Sequence, residues 1–544
     1  MEKEEDAIIL NNKYVARFTT WLARDKLNYV VVAVLIFGIL IRLYYFNLVG
    51  EQPLWWDEMA YGSLAKNYVM HQWDSTQLII GETLIRPQLL PLLWALLLLF
   101  NLPEIYARFI LEFIPSVLSV FFVYLIGKEV FNKRVGIISA FIMSVLWIHL
   151  FYTLRLLTDV MAMSFLFASI YYFIKAAKQE LNYKYFSISI VLLSISTLTR
   201  YPYGMFFGVY FIMLIVTKNL KLNNKKFWIY GLIGLIPMAL FFGYNYVNYG
   251  NIFPAFLGSS YVKVGGHAGT SAPFAYYITN FIATFLSPGT QTESFEASNI
   301  FLGFLKSVFS LLSIAFSNPL KSIFLISFLI GLAIILSELV IGFNFITKNQ
   351  KLQNRLLLLL VLAAIYSFFI FYIRGSDDRW LLPTSLSICI FAGFGLDFLY
   401  KIIKKYQKLI ALILLLAILF FGAQQQLKYA DELIKLKATS YLQMKQGFEW
   451  MKSNTPEGSV IVGNAIQPYV VYYAERQYMD LPSNESESDK ILGADYLVIH
   501  WFIEQPQYIF QYIQNSSDKW EPLNAFFLDE QKQQPGFIVF KKSG

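Results

Sequence analysis

Apolar runs of about 18 or more residues recur along the first four fifths of the chain, separated by short polar connections. Each run is long enough to cross a ~30 Å hydrocarbon core as a helix. The runs are continuous rather than alternating, which excludes a membrane β-barrel. The pattern predicts eleven spanning helices, at about 29–47, 106–127, 135–153, 158–175, 185–200, 202–217, 227–247, 320–344, 355–373, 380–400 and 408–423. Two more apolar stretches, 88–101 and 299–316, are short and have Pro at or just beyond an end, so they read as helices lying in the interface. If both crossed, the count would be thirteen.

Basic residues orient the array, because loops on the cytoplasmic side collect Lys and Arg. With the N-terminus inside, Lys13, Arg17, Arg24 and Lys26 fall inside, as do the clusters at 128–134, 175–184, 218–226, 348–355 and 401–408. The expected organisation is a cytoplasmic segment (1–28), a transmembrane domain (29–423) with outer loops at 48–105 and 248–318, and an extracytoplasmic domain (424–544). The expected location is the plasma membrane. The first segment is too long and too polar for a signal peptide, so the run after it reads as a retained helix.

Past Gln424 the hydropathy falls. "GFEWMKSNTPEGSVIVGN" reads as helix, turn and strand, and "ADYLVIHWF" and "GFIVFKK" as further strands, giving a small α/β domain. Composition agrees with the membrane reading: of 544 residues, 57% are hydrophobic and 18% aromatic, and the mean hydropathy is +0.51. The net charge of +8 therefore reflects loop placement and implies no nucleic-acid partner. The one cysteine, Cys389, lies in an apolar run and excludes a disulfide framework.

The chemistry concentrates in the outer loops. "LWWDEMAYG" sets Asp57 and Glu58 behind Trp55 and Trp56. One reading is structural: acids stabilise the start of the helix that follows. The other is a carboxylate at the water boundary, placed to take a proton from a hydroxyl. Trp55, Trp56 and Tyr61 suit stacking on a sugar or acceptor. Asp159, four residues after Arg155, is either half of a local ion pair or a second site acid. The outer basic residues Arg86, Arg155, Arg200, Arg374 and Arg379 suit an anionic ligand such as a lipid phosphate. Asp57 and Asp159 could hold a divalent cation, Mg or Mn, through oxygen ligands. His71, His149, His267 and His500 lack metal-ligand spacing. No phosphate-binding glycine loop points to a soluble nucleotide.

Six stretches in this order, "WWDEMAYGSLAKNYV", "RPQLLPLLWALLLLF", "GKEVFNKRVGIISAFIMSV", "YTLRLLTDVMAMSF", "LTRYPYG" and "DDRWLLPTSLSI", resemble the GT-C superfamily of membrane glycosyltransferases. The nearest likeness is to glycosyltransferase family 39, with its protein O-mannosyltransferases and aminoarabinose transferases. The resemblance implies a polyprenyl-phosphate sugar as donor, membrane lipid around its carrier tail, and a protein, glycolipid or polysaccharide acceptor. Asp57 would be the base, with inversion at the anomeric carbon. Arg86 would contact the phosphate, Arg155, Arg200 and Arg379 would assist it, and Asp159 would match the second family acid. Gln88 departs from the family's second proline and Trp380 from its tyrosine. The 248–318 loop, about 70 residues, is too short for a β-trefoil. A lipid or glycolipid transporter and an oligosaccharyltransferase-like enzyme are the alternatives. Against the first, the chain shows no internal repeat; against the second, oligosaccharyltransferases carry their Trp-Trp-Asp after the membrane domain.

Overall fold

The computed structural model describes residues 14–50, 52–70, 86–249, 252, 286–287, 320, 322–368 and 378–543. Every segment expected to span is mainly helical where described. Among the described residues, eight helices are long and apolar enough to cross a membrane, so this is a multi-pass membrane protein. Three expected spans are shorter or interrupted: 133–152, Tyr183–Thr199 and 201–216. The 88–101 stretch forms the helix Leu89–Leu99, whose 11 residues cannot cross. The 299–316 stretch and most of the 248–318 loop lie outside the described residues.

The chain divides into two compact units. The larger holds most of the spanning helices. The smaller comprises 48–111, 155–157 and 434–544. The domain boundary expected at 423/424 falls inside one continuous helix, Lys408–Ala438, and the units change at 433/434. The fall in hydropathy marks where that helix leaves apolar surroundings, not where it ends.

Within the larger unit, close helix contact depends on small residues. A Cβ at Gly331 would lie 2.0 Å from the Phe391 carbonyl, and one at Gly395 2.0 Å from the Ser327 carbonyl. Helices Ile323–Ile341 and Ser385–Lys404 therefore meet backbone to backbone.

The span expected at 135–153 is broken without a proline. Lys133–Val145 and Trp147–Tyr152 are separate helices, and Leu146 between them is extended (φ −62°, ψ 112°). A break in hydrocarbon frees backbone groups that no water can satisfy. Two side chains from other helices meet them. Arg42 donates to the Ser144 carbonyl at 3.2 Å and to Met143 at 3.4 Å. Gln426 accepts from the Trp147 N–H at 3.1 Å. Both side chains are fully buried. Arg42 also donates to Ser116 Oγ at 2.7 Å and to His149 Nδ1 at 2.7 Å. An arginine cannot accept, so His149 carries its proton on Nε2.

In the smaller unit a five-stranded sheet has the order β2-β1-β3-β5-β4. Strands β1 (Val460–Gly463), β2 (Gln477–Asp480) and β3 (Tyr496–His500) run parallel, and β5 (Pro535–Lys542) lies antiparallel between β3 and β4 (Trp520–Phe527). The three strands read from sequence are β1, β3 and β5, which carry the buried positions. The two missed strands lie at the sheet's edges and are largely exposed. One is interrupted by Pro522 at a register shift, which edges tolerate.

Replacing Gln426 with Leu would leave the Trp147 N–H buried and unmet, at a cost of about 1–3 kcal/mol. Purified Gln426→Leu protein should melt below wild type in detergent. An unchanged melting temperature would show that the break is held without it.

Candidate active site

In the smaller unit the site is built on the helix Trp56–Met70. Glu58 sits in its first turn and reaches back to accept the Trp55 N–H at 2.8 Å, half of a capping box. Its other oxygen accepts the Leu156 N–H at 2.7 Å. Arg155 Nη1 stands 3.7 Å away, and the Arg155 guanidinium lies over the Trp55 ring at 3.3 Å. Glu58 is 1% exposed and Arg155 2%. Glu58 was expected as a catalytic acid beside Asp57. It is buried with both oxygens engaged, and it clamps the 155–157 segment to this helix.

Asp57 has a different environment. Its side chain retains 29% of its exposure, and Arg86 Nη1 lies 2.9 Å from its carboxylate. The N-terminal turn of a helix favours an anion there. Arg86 in turn spreads over the Tyr61 ring at 5.3 Å. Gln88 explains its own departure from the family pattern. It starts the helix Leu89–Leu99 without capping it, and its side-chain amide donates to the Arg86 carbonyl at 3.0 Å. Tyr68 hydrogen-bonds the same glutamine. A proline could do neither, so Gln88 fixes the backbone that presents Arg86.

The three aromatics expected to stack on a ligand separate. Trp55 has Arg155 on its ring and meets Tyr441 edge-on at 6.1 Å, so its stacking partner is the protein. Tyr61 is buried beside Arg86. Trp56 stays half-buried, with its ring edge-on to Tyr469 at 6.2 Å. The sequence reading missed the partners from the C-terminal part. The Tyr473 hydroxyl accepts the Leu54 N–H at 2.9 Å. Tyr472 packs so close to Gly62 that a Cβ there would lie 2.5 Å from its ring. Glu475 bridges Lys66 at 3.0 Å and Lys452 at 2.8 Å. The one sequence signal for these was the aromatic density of "YVVYYAE".

In the larger unit Asp159 and Arg200 form a buried pair at 2.9 Å. Asp159 opens the helix Thr158–Ala176, and Arg200 follows the last residue of Tyr183–Thr199. The same Arg200 nitrogen donates to Thr158 at 3.1 Å, and its guanidinium lies over Trp380 at 3.9 Å. Of the two residues considered as a local pair from sequence, Arg155 stands by Glu58 and Asp159 pairs with Arg200. Trp380, where the family has tyrosine, serves as the stacking surface for Arg200. Arg379 is half-buried next to it in a short 3-10 turn. Arg374, His71 and His267 lie outside the described residues.

Among the described residues no three His, Cys, Asp or Glu side chains group to hold a metal. His149 belongs to the helix break, and His500 faces the Asn464 carbonyl at 2.8 Å in the sheet unit. Burial pushes His500 below its ordinary pKa.

Comparison with known proteins agrees with the fold. The sequence model of the dolichyl-phosphate-mannose-protein mannosyltransferase family matches residues 87–243. Comparison with curated protein sequences gives no match. Among solved structures, ArnT from Cupriavidus metallidurans bound to undecaprenyl phosphate superposes with a TM-score of 0.61 at 10% identity, covering 95% of this chain and 98% of that one. The oligosaccharyltransferase AglB from Archaeoglobus fulgidus, in complex with an inhibitory peptide and a dolichol-phosphate, gives 0.58 at 13% identity, covering 96% and 74%. Another crystal structure of the Archaeoglobus enzyme, in complex with Zn and sulfate, gives 0.57 at 14%, covering 93% and 72%. The GT-C likeness and the fold class read from the motifs are borne out.

Two outcomes follow from the geometry. Glu58→Ala would strand two buried N–H groups and the Arg155 charge, so the protein should lose about 1–3 kcal/mol or more and melt earlier. A melting curve like wild type would contradict the clamp. Burial raises the Glu475 carboxyl, but hydrogen bonds from Lys452 and Lys66 more than reverse this, and it titrates below its ordinary value. A lowered folded pKa contributes stability above the unfolded value and loses it as pH falls through the folded one. Thermal melts should therefore show wild type losing its advantage over Glu475→Gln as pH drops below about 4.3, the ordinary glutamate value. A gap independent of pH would remove the bridge.

Proposed function

We propose that this chain, whose fold is that of the GT-C membrane glycosyltransferases, moves a sugar from a polyprenyl-phosphate carrier to an acceptor hydroxyl at the extracytoplasmic membrane boundary. The observation that carries the reading is the Asp57–Arg86 pair, an accessible carboxylate held against a cation at the start of a juxtamembrane helix.

In this reading Asp57 takes the proton of the acceptor hydroxyl as its oxygen attacks the anomeric carbon. The bond from that carbon to the phosphate oxygen breaks. The lipid phosphate leaves with the electron pair, and the configuration inverts. Arg86 stabilises the charge that develops on the phosphate, where a preorganised cation is most effective. The pairing has a consequence. A donor phosphate that engages Arg86 weakens its hold on Asp57, and a carboxylate that loses a neighbouring cation becomes more basic. Donor binding thereby prepares the base. Arg155 and Arg200 are buried against Glu58 and Asp159, so the proposal assigns them positioning roles and leaves phosphate contact to Arg86. Arg379 is retained as a second donor contact. The acids do not fit a Mg or Mn site, since Asp57 pairs with Arg86 and Asp159 with Arg200. No step is therefore routed through a metal.

Purified protein incubated with radiolabelled polyprenyl-phosphate sugars and membrane extract should transfer label to an extract component. Asp57→Asn should lower that transfer by roughly 10²–10⁴-fold, the usual loss with a general base, at an unchanged melting temperature. Equal transfer by the two proteins would remove Asp57 as the base. The labelled product identifies the acceptor and separates single-sugar from oligosaccharide transfer.

A further inference from the structure

A groove of about 1100 Å³ runs between helices Leu27–Leu48, Lys133–Val145 and Lys408–Ala438 of the larger unit. Its length is lined by apolar side chains, among them Phe37, Phe141 and Phe420, and its polar lining residues Gln424, Lys428 and Asp431 gather at one end. We propose that this groove binds a zwitterionic phospholipid, with the lipid phosphate against Lys428 and its ammonium against Asp431.

Depth supports a lipid. Lys408 and Lys428 are twenty residues apart on one helix, or ~30 Å, the thickness of the hydrocarbon core. They therefore mark opposite edges of the membrane, and the polar end of the groove lies at an edge. From Val30 to Tyr45, both in the lining, the first helix rises ~22 Å, so a tail entering from that edge can lie along most of the core. The walls offer water few partners, and an apolar lining left uncovered would forfeit packing contacts.

Charge selects the headgroup. Lys428 and Asp431 are three residues apart and share one face of the helix. The Tyr44 hydroxyl donates to Asp431 at 3.4 Å, which holds the acid at the groove. Lys428 is exposed, and its contact with Glu432 at 4.0 Å is a surface pair worth little. A cation and an anion side by side match a phosphate and ammonium joined by two carbons. They disfavour a lipid that carries phosphate alone, because Asp431 would face it. The polyprenyl-phosphate donor is such a lipid. The groove is thus a separate site, and the proposal does not rest on the transferase reading.

The test is lipid retention by delipidated protein after incubation with vesicles of phosphatidylethanolamine or phosphatidylglycerol, read by native mass spectrometry. Wild type should retain phosphatidylethanolamine over phosphatidylglycerol by roughly tenfold, the size of one charge-assisted contact. Asp431→Lys should reverse the preference. Val34→Trp, which narrows the apolar length, should lower retention of both at an unchanged melting temperature. Equal retention of the two lipids by wild type would overturn the proposal. So would retention unaffected by Val34→Trp, or displacement of phosphatidylethanolamine by undecaprenyl phosphate.

Discussion

The structure depends on one constraint: inside hydrocarbon, water cannot satisfy a polar group, so the protein must. The break at Leu146 exists because Arg42 and Gln426 supply what the missing helical bonds would have supplied. The chain leaving that broken helix runs through Arg155–Leu157 to Asp159. The same rule accounts for Asp397, buried on the helix Ser385–Lys404 and met by Asn132 at 3.0 Å and Arg134 at 2.8 Å. These residues let the membrane helices end, turn and approach where the fold requires.

The two neighbouring acids at the opening of the juxtamembrane helix show how local environment divides labour. Glu58 is enclosed and bonded to two backbone amides and stands near Arg155, so its charge is spent on structure. Asp57, one residue earlier, keeps access to solvent and pairs with Arg86. A carboxylate that serves as a base must be reachable by its substrate. Asp57 meets that condition and Glu58 does not. Arginine divides likewise. Arg155 and Arg200 lie over tryptophan rings next to buried acids, whereas Arg86 is held over Tyr61 with its charge still partly exposed.

Much of the fold was legible in the sequence because hydropathy alone dictates where a chain can cross a bilayer. The short helix Leu89–Leu99 was legible from the shortness of its apolar stretch. The break at Leu146 was not, because it contains no proline or glycine and is caused by side chains more than a hundred residues away. The reach of Lys408–Ala438 past the hydropathy drop was missed for a related reason, since a helix does not end where its surroundings change. Asp57 and Arg86 could be read from motif position. The partition between Asp57 and Glu58 could not, because the Leu156 amide that occupies Glu58 is nearly a hundred residues distant. Nor could the loss of Trp55 to Arg155 be read from sequence.

The account's central claim is that Arg86 holds the donor phosphate while Asp57 serves as base. Donor-lipid affinity and turnover, measured on the same preparations of wild type, Arg86→Ala and Asp57→Asn, test it most directly. The account predicts that Arg86→Ala weakens donor binding, whereas Asp57→Asn binds donor as tightly as wild type or tighter and does not turn it over. Loss of donor binding in Asp57→Asn, or undiminished donor binding in Arg86→Ala, would contradict it.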